Sequence, residues 1–183
     1  MTKKQEWSEL PDSTGPLIFG SDNGYSASLV FLDLTGHIIH IEPYPDDAKR
    51  LYQLIEHFKP VYAATEEVFM APGFKGVASS NFIILGRYKQ VFEMLDIPYE
   101  TVRAVSWRAK LGIKAKGRDN QKQAAIDYSA SHFSEEDYQK LWTKYNKLNK
   151  ETHHREEHFD PDNNKCESAL IALYALQKYK ETH

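Results

Sequence analysis

One cysteine, Cys166, occurs in 183 residues. A lone cysteine excludes an intramolecular disulfide and any CxxC metal site. It suits a reducing compartment such as the cytoplasm rather than secretion. No apolar run approaches the ~18 residues of a membrane span, so no membrane partner is expected. Residues 1–15 are polar and lack the apolar centre of a signal peptide. Residues 1–16 read as a flexible arm, with Trp7 available to dock it, ahead of a single domain over 17–183. Neither charge sign dominates: 23 Lys and Arg against 26 Asp and Glu give a net charge of −3. Bulk positive charge is therefore no route to nucleic acid, and any basic surface must be local. Apolar residues make up 41% of the chain and aromatics 13%, enough for one sizeable core.

Leu17 to Asp22 reads as a buried strand ending in an acid, followed by the turn signal Asn23-Gly24. Ser26–Leu34 and His37–Ile41 read as two further strands joined by Thr35-Gly36-His37. Asp46–Phe58 has helical spacing at Leu51, Leu54, Ile55 and Phe58, with Asp46 or Asp47 as cap. Val61–Glu66 is a fourth strand, 71–79 a Gly-containing loop, and Asn81–Leu95 a helix capped by Ser79 or Ser80. Tyr99–Val105 is a fifth strand. Asn120–Phe133 and Glu135–Lys150 are expected as helices, 151–163 as a polar loop, and Lys165–Tyr179 as a buried helix. This order predicts an α/β fold, a mixed sheet with helices on both faces.

Asp22 ends the first strand and Glu66 the fourth. If these strands lie side by side, Ile18, Gly20 and Asp22 share one face, as do Tyr62, Ala64 and Glu66. The two carboxylates then meet at one edge. A one-residue slip would put Glu67 there instead. Glu167 starts the last helix among Ala169, Leu170, Ala172 and Leu173, where an acid is costly unless a cation or hydrogen bonds satisfy it. Singly, each acid has a plain structural reading as a turn, cap or first-turn residue. Together they would repel, and Mg²⁺, which takes oxygen ligands, reverses that repulsion. Two metals ~4 Å apart clamp the attacking and leaving oxygens in phosphodiester hydrolysis.

Gly20-Ser21-Asp22-Asn23-Gly24 resembles the first-strand G-x-D-x-G signature of the RuvC-like Holliday junction resolvases. Ala64-Thr65-Glu66-Glu67-Val68-Phe69-Met70-Ala71 is similar to that family's second acidic motif. Cys166-Glu167-Ser168-Ala169-Leu170-Ile171-Ala172-Leu173 resembles its last. Val105–Gly112 fits its DNA-contacting stretch after the fifth strand. The resemblance spans roughly residues 17–179 and is strongest to virus- and phage-type members. It implies an RNase H-like mixed five-stranded sheet, a homodimer, and an endonuclease with two Mg²⁺ ions per site (Mn²⁺ as substitute) that nicks opposed strands of a four-way or otherwise branched DNA junction. Asp22, Glu66 and Glu167 carry over as metal ligands. The family's fourth acid, one helical turn before the last, is missing: Asn164 and Asn163 stand there. Three outcomes are open. Asp162 enters from a loop, Asn164 ligates through its carbonyl oxygen, or the chain is an inactivated junction-binding variant.

Arg103, Arg108, Lys110, Lys114, Lys116, Arg118 and Lys122 fall within twenty residues that hold one acid, Asp119. That concentration suits a surface that tracks phosphates; the plain alternative is a solvated loop and helix start. Lys114, Lys116 and Arg118 surround Gly117, where backbone can approach closely. Phe69, by resemblance, and Phe74, by its Gly-flanked loop, are the candidate wedges between junction bases. The Asn81–Leu95 helix, with Phe82, Ile83, Gly86, Val91 and Phe92, carries excess apolar surface and is the expected dimer face. The 134–163 stretch looks like an insertion. His153, His154 and His158 lack the HExxH pattern and read as loop residues. Gly20–Ser26 also resembles the first phosphate loop of actin-like ATPases and sugar kinases, but such proteins need two domains and a second Gly-rich loop. An RNase H acting on RNA–DNA hybrids would share the metal site but not the Glu66–Met70 run.

Overall fold

Leu17–Ser21 is buried along its whole length and forms β1. In the computed structural model, which describes residues 10–11, 15–69, 78–148 and 155–183, β1 is the middle strand of the main sheet. β2 (Ser28–Asp33) and β3 (Ile38–Pro43) follow as antiparallel neighbours on one side; β4 (Tyr62–Glu66) and β5 (Tyr99–Val102) run parallel to β1 on the other. The strand order is β3-β2-β1-β4-β5. Period-two alternation sends each strand's residues to two separate cores. Phe19, Leu29 and Phe31 pack against α1 (Ala48–Phe58) and α2 (Ala78–Met94). Ile18, Val30, Leu32 and Ala64 pack against α3 (Ala104–Lys110), α4 (Arg118–His132) and α6 (Asn163–Thr182). The mixed five-stranded sheet with helices on both faces is therefore as expected.

Local chemistry explains the flanking helices. In α1, Leu51, Leu54, Ile55 and Phe58 form one buried stripe, and Asp47 caps it by accepting from the Lys49 amide at 2.9 Å. Of the two expected caps, Asp47 is used. For α2 neither Ser79 nor Ser80 is the cap, because the helix already runs from Ala78. Leu10, inside the segment expected as a free arm, is buried in the α1–α2 core; Trp7 lies outside the described residues.

Two expectations fail after β5. That strand ends at Val102, and α3 starts two residues on, bringing Trp107 and Arg108 back over the sheet. The helix expected over Glu135–Lys150 is only α5 (Glu135–Lys140). β6 (Trp142–Leu148) then pairs antiparallel with β7 (Arg155–Pro161), which lies inside the expected polar loop. The stripe at Tyr138, Leu141, Trp142 and Tyr145 suits a helix, but Thr143 and Tyr145 also favour extended chain. Seven registered cross-strand pairs, with the Tyr145 and His158 rings stacked at 5.7 Å, decide for the ribbon. His153 and His154 lie outside the described residues.

The ribbon is anchored to the last helix through Asp162. One carboxylate oxygen of Asp162 caps α6 by accepting from the Asn164 amide at 2.9 Å and the Lys165 amide at 3.4 Å; the other accepts from Thr143 Oγ1 at 2.8 Å. Asp162→Ala is expected to cost about 1 kcal/mol for the lost cap, read as a lower urea midpoint, with greater amide exchange in β6 and β7. Among the described residues no helix is long and apolar enough to cross a membrane.

Candidate active site

The parallel register of β1 and β4 builds the site. Gly20 lies opposite Ala64 and Ser21 opposite Thr65, so the chains leave the sheet together with Asp22 beside Glu66. Asn23 joins the two strand ends: its Nδ2 donates to the Glu66 carbonyl oxygen and its Oδ1 accepts from Thr65 Oγ1 at 3.0 Å. Ser168 Oγ, on α6, accepts from the Asp22 amide at 3.2 Å and the Ser28 amide at 3.4 Å, seating that helix against the same edge. Glu66 is the inward residue and Glu67 is exposed, which settles the one-residue slip.

Each carboxylate has its own partners. Asp22 Oδ1 accepts from the Asn23 amide at 2.6 Å. Glu66 Oε2 accepts from Trp107 Nε1 at 2.8 Å. Glu167 Oε1 accepts from Arg108 Nη2 at 2.6 Å and its Oε2 from Asn163 Nδ2 at 3.3 Å. The Arg108 guanidinium lies 4.5 Å from the centre of the Trp107 ring, so neighbouring residues of α3 hold two of the three acids. Burial raises the Glu66 carboxyl to about pKa 7, helped by the charge of Asp22; the Trp107 hydrogen bond and Arg108 oppose it. Burial also raises Asp22, with the Glu167 charge next in size, while the Asn23 amide and Arg108 pull it down. A further cation beside carboxyls crowded in this way would favour their charged form.

The other predicted residues distribute around this edge. Asp162 is committed to capping and Asn163, not Asn164, touches Glu167. Asn164 follows the cap, its amide on Asp162. Phe69 is 78% exposed at the rim of a cleft of about 460 Å³ that includes Asp22, Glu66, Arg103 and Val105. Phe74 lies outside the described residues. Arg108 turns inward onto Glu167, and Lys110 pairs with Glu181 on α6. Lys114 and Lys116 line a neighbouring pocket of about 580 Å³ that also includes Arg108, and both are exposed, as is Arg118. Gly117 takes φ +86, a conformation natural to glycine.

Sequence reading missed four contributors. Asn23 was expected only as a turn signal, and Trp107, Asn163 and Ser168 received no role. A tryptophan beside an arginine was the one available clue, since a buried indole N–H needs an acceptor.

Among the described residues no three His, Cys, Asp or Glu side chains are grouped so as to hold a metal ion. The donors nevertheless suit a hard cation: one oxygen of Asp22 and one of Glu66 accept no hydrogen bond among the described residues, and Asn163 Oδ1 is buried without a partner.

The mixed five-stranded sheet, in the order β3-β2-β1-β4-β5, matches the RuvC/RNase H-like α/β fold. Thermus thermophilus RuvC superposes with a TM-score of 0.59 at 14% identity, over 91% of this chain and 97% of that one. T. thermophilus RuvC in complex with a Holliday junction substrate gives 0.57 at 14% identity over the same shares. A yeast mitochondrial Holliday junction resolvase aligns more loosely, at 0.46 and 16% identity over 94% of this chain and 85% of that one. At such identities the likeness is one of fold. No protein-family model and no curated protein matches the sequence.

Proposed function

We propose that this protein is a structure-selective endonuclease that resolves four-way or branched DNA junctions by paired, divalent-metal-dependent phosphodiester hydrolysis, acting as a homodimer. The observation that carries the proposal is the β1–β4 register, which sets Asp22 beside Glu66 at one sheet edge with Glu167 behind them on α6. Supporting it are the basic pocket next door and a fold shared with RuvC, whose own complex holds a Holliday junction substrate.

Asp22 and Glu66 would hold Mg²⁺, or Mn²⁺ in its place, through their open oxygens. Such an ion supplies Lewis acidity to a phosphate and lowers the pKa of a bound water. The chain's own residues do the remainder. Trp107 and Asn23 orient Glu66 and the β4 end. Lys114, Lys116 and Arg118 neutralise backbone phosphates leading to the cleft. Phe69 stands where a base unstacked from the junction centre can be covered. Exposed Phe82, Ile83 and Met94 on α2, with open space around Gly86, support this helix as the dimer face.

A synthetic four-way junction and a linear duplex of the same sequence test this. Symmetric nicks in the junction alone, dependent on Mg²⁺, are expected. For Lys114→Ala/Lys116→Ala, junction affinity should fall, and the slope of log K against log salt should become shallower by about 2, roughly one per phosphate contact removed. Equal cleavage of the duplex would refute structure selectivity; tight junction binding without cleavage in Mg²⁺ or Mn²⁺ would leave a junction-binding protein instead.

A further inference from the structure

We infer that the carboxylate site takes one divalent cation per chain, between Asp22 and Glu66, and that the Arg108 guanidinium on Glu167 stands in for a second. This rests on the metal-dependent hydrolase proposed above and specifies its metal count.

The oxygens of the three acids are unequally committed. Asp22 and Glu66 each spend one oxygen on a neutral N–H donor, at 2.6 and 2.8 Å, and keep the other open among the described residues. Glu167 spends both, one on Arg108 and one on the Asn163 amide. A second ion on Glu167 would either crowd the Arg108 guanidinium or displace it from a pair whose side chains are only 15% and 14% exposed. Releasing either member of a buried ion pair strands a charge out of water.

Arg108 is itself held. Its guanidinium rests on the Trp107 ring, and that ring is fully buried while its N–H reaches Glu66. Moving the guanidinium away would expose Glu167 to Asp22, whose charges already oppose each other. Charge balance agrees. Three carboxylates and one guanidinium leave two negative charges, which a single divalent ion neutralises; a second ion would leave the site strongly positive. The residues that precede Glu167 by one turn, Asn163 and Asn164, are neutral and add nothing for a second ion to balance.

Arg108 also lines the basic pocket that includes Lys114 and Lys116. A fixed cation at this border would help hold a phosphodiester beside the pocket without a second ion having to be captured.

Two counts test this: free Mn²⁺ measured by electron paramagnetic resonance in equilibrium with the full chain, and anomalous peaks in crystals soaked in millimolar MnCl₂. The wild type is expected to hold one ion per chain, and Asn163→Asp, which keeps Arg108, also one. Arg108→Gln/Asn163→Asp is expected to hold two, with circular dichroism confirming the fold. Two ions in the wild type would overturn the inference, whatever becomes of the variants. One ion in a folded double variant would overturn Arg108 as the stand-in. No bound ion in any protein would overturn the metal-dependent reading itself, a result distinct from the other two.

Discussion

Glu66→Gln should abolish junction cleavage and, in metal-free buffer at about pH 8, raise the melting temperature. The two effects have one origin. Glu66 is crowded by burial and by Asp22, so its carboxyl titrates at about 7 in the folded protein against 4.5 ordinarily. Below pH 4.5 it is protonated in folded and unfolded chains alike and costs nothing. Between 4.5 and about 7 the folded protein keeps a proton that the unfolded chain has released, so stability falls as pH rises. Above that window the loss is complete and on the order of 3 kcal/mol, one pKa unit being worth about 1.4 kcal/mol. Asp22, also raised, acts in the same direction. Glutamine carries no charge yet still offers an oxygen to Trp107 Nε1, so the variant should melt higher than wild type at about pH 8 and nearly alike at about pH 4. Cleavage should fall on the order of a thousand-fold, or about 4 kcal/mol of barrier. Scanning calorimetry across pH, with and without Mg²⁺, checks it: Mg²⁺ should raise the wild-type midpoint most at the alkaline end and do little for the variant. A variant that melts lower than wild type at about pH 8 would show that repulsion does not govern this site.

Gly20→Ala is expected to prevent stable folding. β1 and α6 cross at this residue with no room for a side chain: a Cβ there would fall within 2.5 Å of the amide nitrogen, Cα and Cβ of Ala172. The obstacle is helix backbone, which cannot yield by changing rotamer, so α6 as a whole must lift. Overpacking of a core costs about 1–3 kcal/mol when side chains can adjust, and this case lies at or above the upper end. Since Glu167 and Ser168 ride on the same helix about a turn earlier, the lifted helix also parts from Asp22. Urea unfolding should show a greatly lowered midpoint, or no cooperative transition, while Gly86→Ala, with open space around it, serves as a control that should fold normally. A Gly20→Ala protein with wild-type stability would contradict the close crossing.

The strands and their acids were legible because their signals are local. The apolar run Leu17–Phe19 and the alternation through Tyr62, Ala64 and Glu66 name both the strand and the face, and period-two geometry then sends Asp22 and Glu66 the same way. Trp142–Leu148 was misread for the same reason in reverse. Tyr138, Leu141, Trp142 and Tyr145 satisfy a helical stripe, and only the partner strand Arg155–Pro161, beyond the intervening residues, makes the extended form the better one. Single-chain patterning carries no information about which distant backbone will supply hydrogen bonds.

The basic cluster shows the same division. Sequence proximity grouped Arg108 and Lys110 with Lys114, Lys116 and Arg118, but α3 turns Arg108 inward to Glu167 and pairs Lys110 with Glu181 at the surface, leaving the last three exposed and outside any ion pair among the described residues.

Sequence alone determined the α/β class, the strand ends that carry Asp22 and Glu66, and the helix that carries Glu167, since each follows from hydrophobic periodicity within a few residues. Tertiary structure alone decided which donors those acids receive. Trp107 reaches Glu66 across 41 residues and Arg108 reaches Glu167 across 59. Such pairings depend on how α3 and α6 pack over the parallel strands, and that packing is set by the shape of the whole core, with Gly20 admitting α6 to the sheet.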